Sequence, residues 1–155
     1  MNITPTDAIL INALQENARI GLETLADMTG LSTATVQRHL KRMKDDGIIS
    51  REVVQIDPAS IGSIMTFVVM VELERERIEQ LEEFTRRALS EAQVQQCYYI
   101  TGEADFCLVC TARDMDDYEA LTHRLFFENA NVRRFRTNVV MSRKKVSVNI
   151  PVSAG

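Results

Sequence analysis

The chain lacks tryptophan, has few other aromatic residues and contains only three cysteines among its 155 residues. A small, odd number of cysteines excludes a disulfide framework and is typical of a reducing compartment. No apolar run reaches the roughly 18 residues that a membrane-spanning helix needs. The first residues also lack the basic and apolar regions of a signal peptide. We therefore expect a cytoplasmic protein with no membrane partner.

A large excess of one charge is also absent. The 18 lysines and arginines are offset by 22 aspartates and glutamates, so the net charge is −4. A hydrophobic content of 45% excludes a disordered chain. Any binding of nucleic acid must therefore depend on a local basic surface rather than on the charge of the whole chain.

The first third of the chain has the spacing of three amphipathic helices. Thr4, followed by Pro5 and Asp7, predicts the start of the first helix, and Ser32 predicts the N-cap of the third. The second helix ends at Thr29–Gly30. Two short helices joined by a glycine-containing turn predict a helix-turn-helix.

The third predicted helix carries most of the positive charge of this region. Five of the six basic residues before Pro58 lie between Arg38 and Arg51. Gln37 and Arg38 suit base edges, and lysines suit phosphates. The predicted DNA contacts are Ser32, Thr33, Thr35, Gln37, Arg38, Lys41 and Arg42. From these residues alone, an ordinary solvated helix face is an equally good interpretation.

From residue 64 onward the pattern changes to strand, helix, strand, strand, helix, strand, which predicts a ferredoxin-like arrangement and an α+β protein. The last strand is predicted over Val132–Val148. We place the first domain at residues 1–57, with a β-ribbon at 48–57, a linker at 58–62 and the second domain at 63–155. Domains this small bury a limited share of their surface, so we expect an oligomer.

No constellation in the chain predicts catalysis or a metal site. Cys107 and Cys110 are three residues apart in a predicted strand, so their side chains point to opposite faces and cannot chelate one metal ion together. No glycine-rich nucleotide-binding loop occurs. We therefore expect no metal, no cofactor and no enzymatic activity.

Six stretches, in this order along the chain, resemble the leucine-responsive/asparagine-regulator (Lrp/AsnC) family of transcription factors. They are Asp7–Ile11, Leu25–Ser32, Arg42–Ile49, Asp57–Gly62, Thr101–Asp105 and Arg136–Met141. One departure is Arg51-Glu52, where the family commonly has Gly-Tyr in its ribbon, so the geometry of that turn is expected to differ.

The resemblance implies a winged helix-turn-helix that binds double-stranded DNA, joined to a ligand-sensing domain. It also implies homodimers that can assemble into octamers, with a small effector, usually an amino acid, bound between adjacent dimers. The effector site implied by position comprises Thr101, Gly102, Asp105, Met115, Leu125, Asn138, Val139 and Val140.

The chemistry of Thr101–Asp105 has two interpretations. Gly102 can bring bare amide groups close to a ligand carboxylate, and Asp105 can accept hydrogen bonds from an α-ammonium group. Alternatively, Gly102 is a hairpin glycine and Asp105 satisfies backbone N–H groups of the turn itself.

Two other functions remain open from the sequence. Haem-precursor decarboxylases share the two-domain plan, although their chemistry requires acid–base groups and this chain has only two histidines. A sensing partner that modulates a related regulator without binding DNA is the other alternative. The basic third helix favours a regulator that binds DNA itself.

Overall fold

The computed structural model describes residues 3–62 and 64–154, which form two compact units. The N-terminal unit contains the chain through Gln55 together with the tail from Lys145, and the C-terminal unit is Ile56–Lys144. The tail thus groups with the first unit, whereas the predicted boundary assigned it to the second domain. Met1 and Ser63, the first residues of the two predicted domains, lie outside the described residues.

Three helices make up the N-terminal unit: α1 (Pro5–Glu16), α2 (Leu22–Thr29) and α3 (Thr33–Asp45). The predicted caps are confirmed. Thr4 and Asp7 form a reciprocal capping box at the start of α1, and the Thr35 amide donates to the Ser32 side chain at the start of α3. Gly30 ends α2 with a φ of 69°, a conformation that favours glycine.

The core of this unit joins all three helices. Leu10, Leu25, Val36 and Met43 are fully buried, one from α1, one from α2 and two from α3. Val36 and Met43 occupy the face of α3 that the spacing predicts to point inward. The opposite face of α3 is consequently left to solvent.

The predicted β-ribbon at residues 48–57 is not formed. All ten residues are described and none belongs to a strand. No residue from Ile48 to Asp57 has the positive φ that a tight hairpin turn uses, because Arg51-Glu52 provides no glycine. Val53 and Val54 are therefore exposed rather than paired in a ribbon.

The C-terminal unit is a four-stranded antiparallel sheet covered on one face by helices, as predicted. Its strands are β1 (Met65–Leu73), β2 (Val94–Tyr99), β3 (Phe106–Ala112) and β4 (Val132–Val139), in the spatial order β2-β3-β1-β4. The helices are α4 (Ile78–Ser90) and α5 (Met115–Thr122), and α5 continues as a π-helical turn over His123–Phe127.

Alternate residues of β1 and β3, including Phe67 and Phe106, pack against Phe84 of α4 and Leu121 of α5. The last strand is shorter than predicted. Val140 donates to the carbonyl of Thr66, next to the first residue of β1, so the chain beyond Val140 has no neighbouring strand left to pair with.

Among the described residues, no helix is both long and apolar enough to cross a bilayer.

Candidate DNA-binding and effector-binding surfaces

The outer face of α3 presents a row of side chains to solvent. Thr33, Gln37, Arg38 and Lys41 are all exposed. Thr33, Gln37 and Lys41 follow one another at intervals of four residues and Arg38 is three residues before Lys41, so the four side chains lie on one side of the helix. The Arg38 guanidinium donates to the Thr35 hydroxyl at 3.1 Å, which holds the end of the Arg38 side chain against the preceding turn of the helix. This face contains four of the seven predicted DNA contacts.

The inner side of α3 is fixed by a buried carboxylate on α1. Asp7 is fully buried, and its Oδ1 accepts from Arg42 Nη2 at 2.6 Å and lies 2.9 Å from His39 Nδ1. The Arg42 side chain is 40% exposed and turns toward α1. The structure therefore gives Arg42 a role in positioning α3, which the prediction of a DNA contact did not include.

The charge on Asp7 is stabilised by its surroundings. Burial opposes ionisation, but hydrogen bonds from His39, Thr4 and Arg42 outweigh it and hold the pKa of Asp7 far below its ordinary value. Asp7 was interpreted from the sequence only as an N-terminal cap. The signal that was missed is the pair of cationic or polar residues His39 and Arg42, which lie three apart on α3.

Most other cations of α3 already have acidic neighbours. Lys41 Nζ lies 2.8 Å from Asp45 Oδ2, and this hydrogen bond raises the pKa of Lys41. Lys44 pairs with Glu52 at 2.9 Å. Both pairs are exposed and therefore contribute little stability. Within residues 3–62 and 64–154, Arg38 is the one basic residue of α3 that makes no ion pair.

The predicted effector turn lies between β2 and β3. Gly102 has a φ of 127°, which confirms that its backbone conformation opposes a side chain, and Thr101 and Gly102 are exposed. Asp105 Oδ2 accepts from the amide of Leu73 at 2.7 Å, and the Asp105 amide donates to Val71. One carboxylate oxygen of Asp105 thus satisfies the backbone of β1.

A group of charged residues that sequence reasoning did not single out surrounds this turn. Glu72 accepts from Arg134 at 2.7 Å and from Arg136 at 3.3 Å, and Arg136 also approaches Glu103 at 3.5 Å. The hydrogen bond from Arg134 lowers the pKa of Glu72. These residues come from β1, β4 and the turn, so only the sheet register brings them together.

Four of the five remaining predicted effector residues lie at the opposite end of the sheet. Val139 pairs with Phe67, whereas Asp105 binds β1 at Val71 and Leu73. Phe67 and Val71 are four residues apart on β1, or about 13 Å at a rise of about 3.3 Å per residue. Asn138, Val140 and Met115 share the end where Val139 lies. Within one chain the two groups do not form a single pocket.

Two of these predicted residues differ from each other in their exposure. Met115 lies at the start of α5 and is 52% exposed. Leu125 is 1% exposed and packs in the core of the C-terminal unit, so it presents no surface to a ligand in this chain. Asn138 donates its side-chain amide to the Val68 carbonyl at 3.1 Å.

The cysteines are placed as the strand alternation predicts. Cys110 is buried in the core while Cys107 lies on the other face of β3. Burial raises the pKa of Cys110 to about 12, so its thiol stays protonated. Among the described residues, no three histidine, cysteine or acidic side chains cluster in a way that would hold a metal ion.

A helix-turn-helix followed by a ferredoxin-like unit is the architecture of a two-domain regulator that binds DNA and senses a ligand. Residues 3–50 match the model of a winged helix-turn-helix DNA-binding domain, and residues 66–150 match that of the Lrp/AsnC ligand-binding domain. The chain belongs to the Lrp/AsnC family of transcriptional regulators.

Relatives support this assignment over nearly the full length. An uncharacterized HTH-type transcriptional regulator of Sinorhizobium fredii is 41% identical over 98% of this chain and 90% of the relative. An AsnC family transcriptional regulator from Agrobacterium tumefaciens is similar in structure, with a TM-score of 0.86 and 26% identity, covering 94% of this chain and 95% of that one. A transcriptional regulator of Neisseria meningitidis, solved in complex with L-Met, has the same fold, with a TM-score of 0.86 and 24% identity over 94% of both chains.

Proposed function

We propose that the exposed face of α3 reads a specific double-stranded DNA sequence and that a free amino acid, bound by the C-terminal unit, changes this binding. The observation that carries the proposal is the division of α3 into two faces. One face is fixed through Asp7, Val36 and Met43, while the other presents Gln37 and Arg38 to solvent.

Gln37 and Arg38 differ in what they can recognise. An arginine fork suits the O6 and N7 acceptors of guanine, and a carboxamide suits the N6 and N7 groups of adenine. Thr33 lies in the first turn of α3, which is the end of a recognition helix that approaches base edges. Lys41 can exchange its exposed bond to Asp45 for a phosphate.

The test is fluorescence anisotropy with a DNA fragment from upstream of the coding region, across a salt series. Arg38→Ala is expected to weaken specific binding about 5- to 150-fold, because a bidentate contact to a base is worth about 1–3 kcal/mol. Arg77→Ala removes another exposed arginine, from the C-terminal unit, and serves as the control. Equal affinities for the two variants would contradict the role of α3.

The amino-acid part of the proposal rests on the turn at Thr101–Asp105. Bare amides near Gly102 suit a carboxylate, and Asp105 retains one oxygen, Oδ1, that makes no hydrogen bond to the described residues. The L-Met complex of the Neisseria meningitidis regulator makes L-methionine the first amino acid to test.

Because the turn and the Val139 end of β4 are about 13 Å apart in one chain, a site that uses both needs two copies. We therefore include a homo-oligomer in the proposal, with the turn of one copy facing Met115, Asn138, Val139 and Val140 of another. Leu125 is left out of this contact set because it is buried in the core.

Asp105→Asn tests the effector site selectively. Asparagine keeps an oxygen that can accept from the Leu73 amide but removes the negative charge that pairs with an α-ammonium group. Isothermal titration with L-methionine and a pool of the other amino acids should show affinity reduced at least tenfold, with DNA binding unchanged in the absence of effector. Asp116→Asn, on the exposed first turn of α5, is the matched control. Unchanged amino-acid affinity in Asp105→Asn would remove Asp105 from the site.

The proposal includes no catalytic step, since the relatives described above are transcriptional regulators. A regulator of this kind works in the compartment that holds the chromosome, which is why we keep a cytoplasmic location within the proposal.

A further inference from the structure

The C-terminal tail is bound to the first helix by two side-chain amides. Asn12 Nδ2 donates to the Val152 carbonyl at 2.8 Å, and Asn12 Oδ1 accepts from the Val152 amide at 3.1 Å. Gln15 makes the same pair of bonds to Ile150, with distances of 2.8 and 2.7 Å. Each carboxamide therefore binds both backbone groups of a single residue.

This arrangement recognises an extended backbone rather than particular side chains. Residues 150 and 152 are two apart, so in an extended segment their N–H and C=O groups point in the same direction. Asn12 and Gln15 are three apart on α1 and lie on one side of the helix. The two carboxamides thus take the place of a neighbouring strand, which α1 itself cannot provide.

Two further bonds extend the contact along the tail. Asn149 Nδ2 donates to Glu16 Oε1 at 3.1 Å, and Gln55 Nε2 donates to the Val146 carbonyl at 3.4 Å. By contrast, Val148 and Ile150 are 78% and 70% exposed, so their side chains bury little apolar area. The tail is held mainly by exposed hydrogen bonds, and contacts of this type open readily.

The tail also continues directly from the strand at the candidate effector site. β4 ends at Val139, the first tail contact with the N-terminal unit is that of Val146 with Gln55, and the bonds to α1 begin at Asn149. The chain that carries Asn138 and Val139 is therefore joined to the N-terminal unit in two ways: covalently through residues 56–64, and through the bound tail.

We propose that residues 146–152 act as a clasp, in which Asn12 and Gln15 hold the tail on α1 and the tail transmits the state of β4 to the DNA-binding unit. The holding of the tail stands on the geometry alone, whereas the transmission rests on the proposed amino-acid response. An effector that changes the position of the end of β4 would bind differently to the clasped and released forms, which is the requirement for coupling.

Amide hydrogen exchange, followed by NMR on the full chain, tests the holding of the tail. In the native sequence the amides of Ile150 and Val152 are expected to exchange more slowly than that of Val148, which has no hydrogen-bond partner among the described residues. The double variant Asn12→Ala/Gln15→Ala should accelerate exchange at Ile150 and Val152 about tenfold. Unchanged exchange there would overturn the clasp.

A pair of proline substitutions separates backbone recognition from side-chain packing. Ile150→Pro removes the N–H that donates to Gln15, whereas Val148→Pro removes no bonded N–H, and both replace an exposed aliphatic residue. We expect faster exchange at Val152 in Ile150→Pro only. The same acceleration in both variants would mean that tail stiffness, rather than the carboxamide pair, holds the segment.

The transmission is tested by measuring DNA affinity with and without the amino acid that binds the native protein. In Asn12→Ala/Gln15→Ala, the DNA affinities measured with and without the amino acid are expected to differ by less than about twofold, while each ligand alone binds as in the native protein. A full amino-acid response in this variant would overturn the transmission. An altered sedimentation coefficient of the double variant would assign the loss of the amino-acid response to a change in assembly, and this result would also overturn the transmission. If the native protein binds neither DNA nor amino acid, the proposed function and the transmission that rests on it fail together, while the exchange measurements still decide the clasp.

Discussion

At the scale of single residues, the carboxylate of Asp7 links α1 to α3. Its two oxygens meet four groups that are donors or cations: Oδ2 accepts from the amide and hydroxyl of Thr4, and Oδ1 faces His39 and Arg42. In Asp7→Asn, the side-chain NH2 would be placed against one of these donors. We expect the free energy of unfolding at pH 7 to fall by about 2 kcal/mol, measured by denaturant titration followed by helical circular dichroism.

The effect of Asp7 should depend on pH in a defined direction. Because folding lowers the pKa of Asp7, the folded state favours the ionised form. The contribution of ionised Asp7 to folding stability is complete well above the unfolded-state pKa of about 4 and is lost as the pH falls below that value. The difference in the free energy of unfolding between the native protein and Asp7→Asn should therefore shrink below about pH 4. Asp45→Asn, which breaks an exposed pair with Lys41, is the control and should cost less than about 0.5 kcal/mol.

At the scale of an element, the first turn of α3 depends on its cap. The Ser32 hydroxyl accepts from the Thr35 amide at 3.3 Å and lies 2.9 Å from the Thr35 hydroxyl. Ser32→Ala is expected to lower the free energy of unfolding by about 1 kcal/mol, because the first amides of the helix lose their side-chain acceptor. The frayed turn would also displace Thr33, so specific DNA affinity should fall in the anisotropy assay.

Ser32→Asn provides the matched comparison for the cap. Asparagine is as good an N-cap as serine but cannot reproduce a direct contact of the serine hydroxyl with DNA. Recovery of both stability and affinity in Ser32→Asn would assign Ser32 to capping. Recovery of stability alone would assign it to the DNA contact as well.

The elements that could be predicted are those whose causes are local. Caps at Thr4 and Ser32 and the left-handed Gly30 follow from neighbouring residues, and the alternation of β1 and β3 follows from a two-residue period. The contacts that were missed join residues far apart in sequence: Asp7 with Arg42, Asp105 with Leu73, and Asn12 with Val152. No period in the sequence signals a side chain that binds distant backbone, so the predicted domain boundary also missed the docking of the tail.

At the scale of the whole molecule, one face of the sheet in the C-terminal unit is not covered by the helices described in that unit. The helices pack on the face that carries Phe67 and Phe106. Val68, Met70, Cys107 and Val109 point to the other face, where the register places them side by side at its centre. An antiparallel sheet that meets water usually has polar residues on that face. Four apolar side chains at the centre instead favour burial against a second copy, and a twofold axis would place the same patch of both copies together.

Val109→Asp tests this arrangement, since a charge at the centre of a twofold interface appears twice and faces its own copy. We expect sedimentation equilibrium at micromolar concentration to show a smaller species, while circular dichroism stays native because Val109 is only half-buried within one chain. Ala92→Asp adds the same charge on an exposed turn before β2 and should leave the mass unchanged. Loss of the oligomer should also reduce DNA affinity, because a single copy contacts one half-site instead of two. If the Val109→Asp protein forms an assembly of the same mass as the native protein, the interface lies elsewhere, and the two-copy effector site proposed above loses its support.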